Sequence, residues 1–209
     1  LLERTGLIVE LGQWVLEESA RRLARWRALG HGALGHADLR RSVNVSSLQF
    51  RRCDLVAVVR KAMHEQGESL SDGRLELELT ESLFLGEHDE DQQVLSELAR
   101  CGVPLAIDDF GTGYSSFSYL INKPLDVLKI DRSFVSLLDT DEHTVKVVQA
   151  IIAMSHALDM TVVAEGVETE SQRQALIDFR CDEPQGFLHC PAAARGDVPR
   201  ALGLMCAVR

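Results

Sequence analysis

The feature that most constrains the fold is a series of short apolar runs that end in carboxylates and mostly precede helix-like sequence. The runs are LELEL at 75–79, VPLAI at 103–107, DVLKI at 126–130 and MTVVA at 160–164. The acids at their ends are Glu78, Asp108, Asp109, Asp131 and Glu165. Parallel strands that alternate with helices place all their carboxyl ends on one side of a sheet or barrel. The sequence therefore predicts that acids far apart in the chain meet at one mouth.

A cluster of this kind favours a metal site. Carboxylates held close together repel one another, and a shared divalent cation relieves the repulsion. Oxygen ligands favour Mg²⁺ or Mn²⁺ over Zn²⁺. The seven histidines form no HExxH pattern, and the chain contains no G-x-S-x-G elbow and no Walker loop. The sequence thus predicts a divalent-cation site at the top of an α/β barrel.

The same runs predict the fold class. Strand-like segments alternate with helical ones, without a linker rich in Pro, Gly or Ser. The strands are expected at 42–46, 75–79, 103–107, 125–130, 160–164 and 185–188. The helices are expected at 10–28, 54–66, 142–158 and 169–179, with one that follows the acidic stretch 86–93 and ends near Gly102, a short one in 110–121 and one after 188. A closed β/α barrel has eight strands and about 250 residues. We therefore expect one domain over 1–209, a TIM-like barrel that lacks about two N-terminal strands. An open doubly wound sheet fits six strands as well, but it gathers its site at one switch point.

Composition excludes several classes of protein. The 209 residues are 45% hydrophobic and 26% charged, which is typical of a globular domain with a real core. A net charge of −10 argues against general affinity for DNA or RNA, which requires a basic surface. The five cysteines form no CxxC pair, which favours reduced thiols in a cytoplasmic protein. No apolar run approaches the ~20 residues that span a bilayer.

The most specific local motif is DDFGTG at 108–113. Adjacent acids after an apolar strand cannot both be buried as ions without a cation or several hydrogen-bond donors. The glycines that follow, Gly111 and Gly113, allow a tight turn that exposes backbone N–H groups near an anion. The alternative is that Asp108 or Asp109 caps the next helix.

Other candidate residues each have a structural alternative. Lys129 lies among apolar residues of a predicted inner strand, so we expect it to have a carboxylate partner. It could bind a phosphate or an attacking water, or form a purely structural Lys–Asp pair inside the barrel. Glu78 and Glu81 could instead belong to a solvated edge strand. Asn44 could be a turn former or a neutral oxygen ligand. Glu168 is explained as an acid at a helix N-terminus, whereas Glu165 ends the strand itself.

Taken together, SVNVS, LELELTES, IDDFGTGYSS, LKID, VVAEGVE and QGFLHCP closely resemble the EAL-domain family of cyclic di-GMP phosphodiesterases, from TGLIVELGQWVLEE to about residue 191. The resemblance implies a barrel of the EAL type with one reversed strand. It also implies that Asn44, Glu78 and Asp108 are metal ligands, and that Asp109 and Glu165 lie at the second metal or its water. Lys129 is expected near the attacking water, supported by Asp131, and Gln185 near the metal and substrate. Glu81 is expected to anchor the loop 110–116, and Glu168 to be a supporting acid.

The resemblance further implies hydrolysis of cyclic di-GMP to linear pGpG with two Mg²⁺ or Mn²⁺ ions, in the bacterial cytoplasm. A homodimer through the side of the DDFGTG loop and an upstream sensory or GGDEF-type domain are expected as well, with no nucleic-acid polymer and no membrane contact. The family's Glu-Ala-Leu segment, upstream of TGLIV, has no equivalent here, so we expect low activity from these 209 residues alone. The alternative is a non-catalytic cyclic di-GMP receptor or interaction module.

Overall fold

In a computed structural model, the described residues are 2–28, 40–67, 74–85, 89–111 and 117–189. Their strands are β1 (Arg41–Val45), β2 (Leu75–Thr80), β3 (Leu105–Phe110), β4 (Val127–Ile130), β5 (Thr161–Ala164) and β6 (Glu183–Pro184). These strands belong to one sheet, in which their order follows the chain. The register of the pairs β1–β2, β4–β5 and β5–β6 is parallel. The α/β fold class predicted from the sequence is therefore confirmed.

Helices connect the strands. Their bounds are α1 (Leu2–Thr5), α2 (Leu7–Ala28), α3 (Ser47–Arg52), α4 (Leu55–His64), α5 (Glu81–Leu85), α6 (Asp89–Arg100), α7 (Arg132–Val135), α8 (Glu142–Ala157) and α9 (Glu170–Asp178), with a 3-10 helix at Phe117–Asn122. Within the described ranges, none of these helices is both long and apolar enough to cross a membrane.

The chain divides into two compact units, which are described separately. The first unit comprises Leu1–Ile107 and Ser116–Asp126, and the second comprises Asp108–Ser115 and Val127–Arg209. That residues 1–209 act as one domain stays a prediction.

In the first unit, α2 packs against α4 and β1. The apolar positions of α2 recur at helical spacing, and Leu16, Ala20 and Leu23 are fully or almost fully buried. On α4, the residues that face this core include Val59 and Met63. Apolar burial of this extent, rather than helix propensity, stabilises most helices in proteins.

In the second unit, polar caps define the helices. Asp141 accepts hydrogen bonds from the backbone of His143 and Thr144 at the start of α8. At the start of α9, Thr169 and Gln172 form a reciprocal capping box. Helix α8 packs against β5, and the core of this unit includes Leu128, Val148, Val162 and Leu176.

Two strands end more than two residues from their predicted ends, while the other strand boundaries differ by two residues or fewer. The last strand was expected at 185–188 but lies at Glu183–Pro184, because the chain turns at Gly186, where the backbone carbonyl accepts from the His189 amide. Strand β3 continues through Phe110, so Asp108 and Asp109 lie within the strand, not after it. The predicted helix after 188 falls mostly outside the described residues, as does part of the helix predicted in 110–121.

Candidate functional site

A buried lysine joins two carboxylates in the second unit. Lys129 lies on β4 and is 5% exposed. Its Nζ is 3.2 Å from Asp108 Oδ1 on β3 and 2.5 Å from Glu165 Oε1, directly after β5. The backbone fixes Glu165, whose amide donates to the Ile130 carbonyl at 3.1 Å. Because burying an ammonium ion without a partner is very costly, these contacts explain a lysine among apolar neighbours. The expected carboxylate partner of Lys129 is confirmed.

Asp108 contributes a buried anionic oxygen to this group. The residue is 9% exposed, and its Oδ1 accepts no hydrogen bond of acceptable geometry within the described part of the chain. Within the described residues, it is therefore the ionic contact with Lys129 that offsets the cost of burying this oxygen. An oxygen of this kind, buried and without a hydrogen-bond donor, is a suitable ligand for a hard cation.

Asp109 has an unusual backbone conformation. Its φ is 55°, in the left-handed region that non-glycine residues seldom adopt, and Gly111 follows with φ 95°. Such strain costs on the order of 1–3 kcal/mol and persists only where surrounding contacts enforce it. Burial, and then the negative charges of Asp108 and Asp131, raise the pKa of Asp109, while Lys129 opposes the shift. The three aspartates therefore lie close enough to repel one another.

Asp131 is the N-cap of α7. Its Oδ1 accepts from the Ser133 amide at 2.9 Å and from the Ser133 hydroxyl at 2.5 Å. Desolvation raises the pKa of Asp131, but the hydrogen bonds from Ser133 and Arg132 outweigh it, so the net shift is downward. Sequence reasoning missed this cap, although an Asp two residues before a Ser at a strand end is a typical capping pattern.

The first unit holds a second set of the predicted residues. Asn44 and Glu78 are register partners near the carboxyl ends of β1 and β2. Two residues earlier on the same face of the strands, the Ser42 hydroxyl donates to Glu76 Oε1 at 2.7 Å. Glu78 is buried and Asn44 is exposed. Glu81, also buried, begins α5.

The remaining candidates lie at the carboxyl ends of β5 and β6. The Gln185 amide donates to the Ala164 carbonyl at 2.8 Å, and its carbonyl accepts from Val167 at 2.9 Å. Glu168 is exposed, and its amide donates to Gln172 Oε1 at 2.9 Å, one residue before the α9 cap. Gly113 lies outside the described residues. The structure thus brings together Asp108, Asp109, Lys129, Asp131 and Glu165 in the second unit, and Asn44 with Glu78 in the first.

The ligand atoms of this site are of the type that binds a divalent cation, but their present positions do not form a metal site. Among the residues that the structure describes, no three Asp, Glu, His or Cys side chains are already placed to hold a metal ion. The ammonium of Lys129 instead supplies positive charge beside Asp108 and Glu165. The donors themselves are mostly carboxylates, the oxygen ligands that Mg²⁺ and Mn²⁺ prefer.

These features define a class of protein. The family model of the EAL domain matches residues 1–192, so the chain belongs to the EAL domain family, as the motifs predict.

One curated relative and two solved structures show what the chain is similar to. It is 44% identical, over 188 residues, to the bifunctional diguanylate cyclase/cyclic di-GMP phosphodiesterase MucR of Pseudomonas aeruginosa, covering 90% of this chain and 26% of MucR. A solved PaMucR phosphodiesterase in complex with c-di-GMP superimposes with a TM-score of 0.87 at 41% identity, covering 95% of this chain and 77% of that one. The manganese/cyclic di-GMP complex of Klebsiella pneumoniae BlrP1 has a TM-score of 0.71 at 28% identity, covering 85% and 44%. The chain spans about a quarter of the length of the curated relatives it matches.

Proposed function

We propose that this chain is the phosphodiesterase domain of a larger signalling protein and that it hydrolyses cyclic di-GMP to linear pGpG. The observation that carries the proposal is the Asp108–Lys129–Glu165 chain of ionic contacts at the carboxyl ends of β3, β4 and β5, in a member of the EAL domain family. Similarity to a MucR structure that contains c-di-GMP supports the choice of substrate.

We assign the binding of two Mg²⁺ or Mn²⁺ ions to Asn44, Glu78, Asp108, Asp109 and Glu165, whose oxygens are hard ligands. When bound, such ions polarise the phosphate and make hydroxide available from water near neutral pH. Desolvation, and then repulsion from Asp108 and Asp131, raise the pKa of Asp109, and a nearby cation would relieve the repulsion, which supports this assignment. The manganese complex of BlrP1, at 28% identity, supports the use of a divalent ion.

The lysine and the capping aspartate have separate roles in this proposal. Lys129 contacts and orients Asp108 and Glu165, and its ammonium can donate a hydrogen bond to the attacking water or to a phosphate oxygen. Asp131 fixes the end of β4 through its hydrogen bonds to Ser133. Gln185 is assigned to the substrate side of the site, Glu81 and Glu168 are assigned as supporting acids, and Gly111 and Gly113 are assigned a supporting role.

We place the parent protein in the bacterial cytoplasm, with a sensory or GGDEF-type domain upstream and a homodimer through the side of the 110–116 loop. MucR, which is described as a bifunctional diguanylate cyclase and phosphodiesterase, supports the expectation of a second domain.

The test compares four proteins in cyclic di-GMP and Mn²⁺, with pGpG followed by chromatography and retained nucleotide by filter binding. We expect a low but measurable rate of pGpG formation from the wild-type chain and at least a hundredfold less from Glu165→Gln and from Asp108→Asn. Asp182→Asn is the matched control, because Asp182 accepts the Val162 amide at 2.8 Å at the opposite end of β5. Full activity in Glu165→Gln would overturn the assignment. Retention without product from the wild type would indicate either a receptor or an enzyme that needs the upstream Glu-Ala-Leu segment, and restoring that segment would separate the two.

A further inference from the structure

A glycine and an aromatic ring meet just beyond the two aspartates of β3. A Cβ atom added to Gly111 would lie 2.8 Å from Phe134 Cε2 and 2.9 Å from Phe134 Cζ. Real Cβ atoms essentially never approach other atoms so closely, so the outer edge of the ring occupies the space of a side chain at residue 111. Gly111 is also the residue at φ 95°, two positions after the strained Asp109.

Helix α7 makes a similar contact on its other side. A Cβ atom added to Gly166 would lie 2.5 Å from Arg132 Cβ, and Gly166 directly follows Glu165 with φ 75°. The four-residue helix α7 therefore packs against the turn after β3 through Phe134 and against the turn after β5 through Arg132. The carboxylates that contact Lys129 are close in sequence to these turns: Asp108 is on β3, before the first turn, and Glu165 immediately precedes Gly166.

The helix is itself fixed to β4, which carries that lysine. Asp131 caps it through Ser133, and the Phe134 amide donates to the Asp131 carbonyl at 3.1 Å. A displacement of the Phe134 ring would thus be transmitted to the β3 turn without breaking the attachment of α7 to β4. The side chain of Phe134 is only half-buried, whereas Val135, its neighbour on α7, is fully buried in the core.

We propose that Phe134 is a positioning residue: the outer edge of its ring, packed on Gly111, holds the β3 turn so that Asp108 and Asp109 keep their places beside Lys129. The effect of Phe134 on catalysis rests on the proposed function, whereas its effect on the position of the turn does not. If Phe134 only filled the core, its truncation would weaken the whole unit instead of this turn.

The chain offers variants that separate the two roles. Phe134→Leu keeps apolar atoms as far as the Cδ positions but removes Cε2 and Cζ, the atoms nearest Gly111. Phe134→Met restores a flexible side chain that reaches as far as the ring edge. Val135→Ala is the matched control, because it truncates a fully buried side chain on the same helix.

Hydrogen–deuterium exchange of the wild type and the three variants tests the positioning without any need for activity. We expect Phe134→Leu to raise amide exchange at residues 107–111 at least tenfold while β5 and α8 remain as protected as in the wild type. Phe134→Met should recover most of the protection. Val135→Ala should raise exchange in β4, β5 and α8 together, since it lowers the stability of the unit as a whole. Unchanged exchange at 107–111 in Phe134→Leu, or the same pattern as in Val135→Ala, would overturn the proposal.

Kinetics with cyclic di-GMP and Mn²⁺ then test the consequence for catalysis. We expect Phe134→Leu to lower kcat at least tenfold with KM within about threefold of the wild type, because misplaced acids affect the chemical step more than substrate capture. Phe134→Met should recover kcat, and Val135→Ala should retain it at a temperature where the protein is folded. A Phe134→Leu variant with wild-type kcat would contradict the catalytic consequence. If the wild type itself forms no pGpG, the proposed function fails, while hydrogen exchange still decides whether Phe134 positions the turn.

Discussion

The two units bury carboxylates on their strands with different kinds of partner. In the first unit, Glu76 accepts a hydrogen bond from the neutral hydroxyl of Ser42. In the second unit, Asp108 and Glu165 contact the full positive charge of Lys129. A neutral donor offsets part of the cost of burying an anion, whereas a paired charge offsets more but leaves a large penalty if either partner is removed. The second unit should therefore be the more sensitive to loss of a single side chain.

The largest effect expected from this comparison is that of Lys129→Met. Removal of the ammonium leaves Asp108 and Glu165 close together without their shared cation, which should lower the free energy of unfolding by about 3–5 kcal/mol. Because a divalent ion could then take its place, Mn²⁺ should restore more stability to the variant than it adds to the wild type. Urea unfolding with and without Mn²⁺ measures both quantities.

Lys61→Met is the matched control for that experiment. Lys61 forms an exposed pair with Glu65 at 3.8 Å in the first unit, so its loss should change the free energy of unfolding by about 0.5 kcal/mol or less. Equal losses in the two lysine variants would mean that the Lys129 contacts are worth no more than a surface pair.

Gly111→Ala should have the next largest effect. Both a positive φ and the Phe134 ring oppose a side chain at this residue, so we expect a loss of about 2–4 kcal/mol, the sum of backbone strain and overpacking. Gly67→Ala in the first unit is the control, because Gly67 has φ 67° but open space around its Cα. It should lose only the backbone part, about 1–2 kcal/mol. Thermal unfolding measures both losses. Equal decreases in the melting temperature of the two variants would show that the contact of Gly111 with the Phe134 ring contributes nothing to stability.

Ser42→Ala should have the smallest effect, and it tests the neutral partner of the buried carboxylate in the first unit. The variant removes the neutral donor to buried Glu76, which should lower the free energy of unfolding by about 1–2 kcal/mol. Mn²⁺ should not restore this loss more than it stabilises the wild type. Ser96→Ala, which removes an exposed hydroxyl that donates within α6, should be neutral or slightly stabilising in the same urea experiment, because alanine favours helix. A loss in Ser42→Ala no larger than in Ser96→Ala would contradict the role of the neutral donor.

Sequence reasoning predicted the strands well and the short helices poorly. Strands β4 and β5 are short, mostly apolar runs typical of buried parallel strands, and β2 alternates Leu with Glu, a period-two pattern that also indicates a strand. Helices α3, α5 and α7 have four to six residues, too few for a helical period to emerge. The start of β6 at Glu183 was not predictable either, since only two residues pair there.

The site shows the same division between local and long-range information. The acids could be listed from the sequence because each lies at the end of an apolar run, and the need of Lys129 for a carboxylate followed from its apolar neighbours. Which carboxylates it contacts depends on the register of three strands, which the sequence does not encode locally. The contact of Phe134 with Gly111 likewise depends on how two turns approach each other in space. The metal-ligand roles themselves stay predictions.

The most direct test of the central claim is a Mn²⁺ titration of cyclic di-GMP hydrolysis by the wild-type chain, after EDTA treatment, with pGpG quantified by chromatography. We expect no product in EDTA, a rate of pGpG formation that rises with Mn²⁺ and saturates, and a loss of that rise in Glu165→Gln. Product formation in EDTA at the saturated rate, or an unchanged Mn²⁺ dependence in Glu165→Gln, would contradict the assignment of a metal-dependent phosphodiesterase site to these residues.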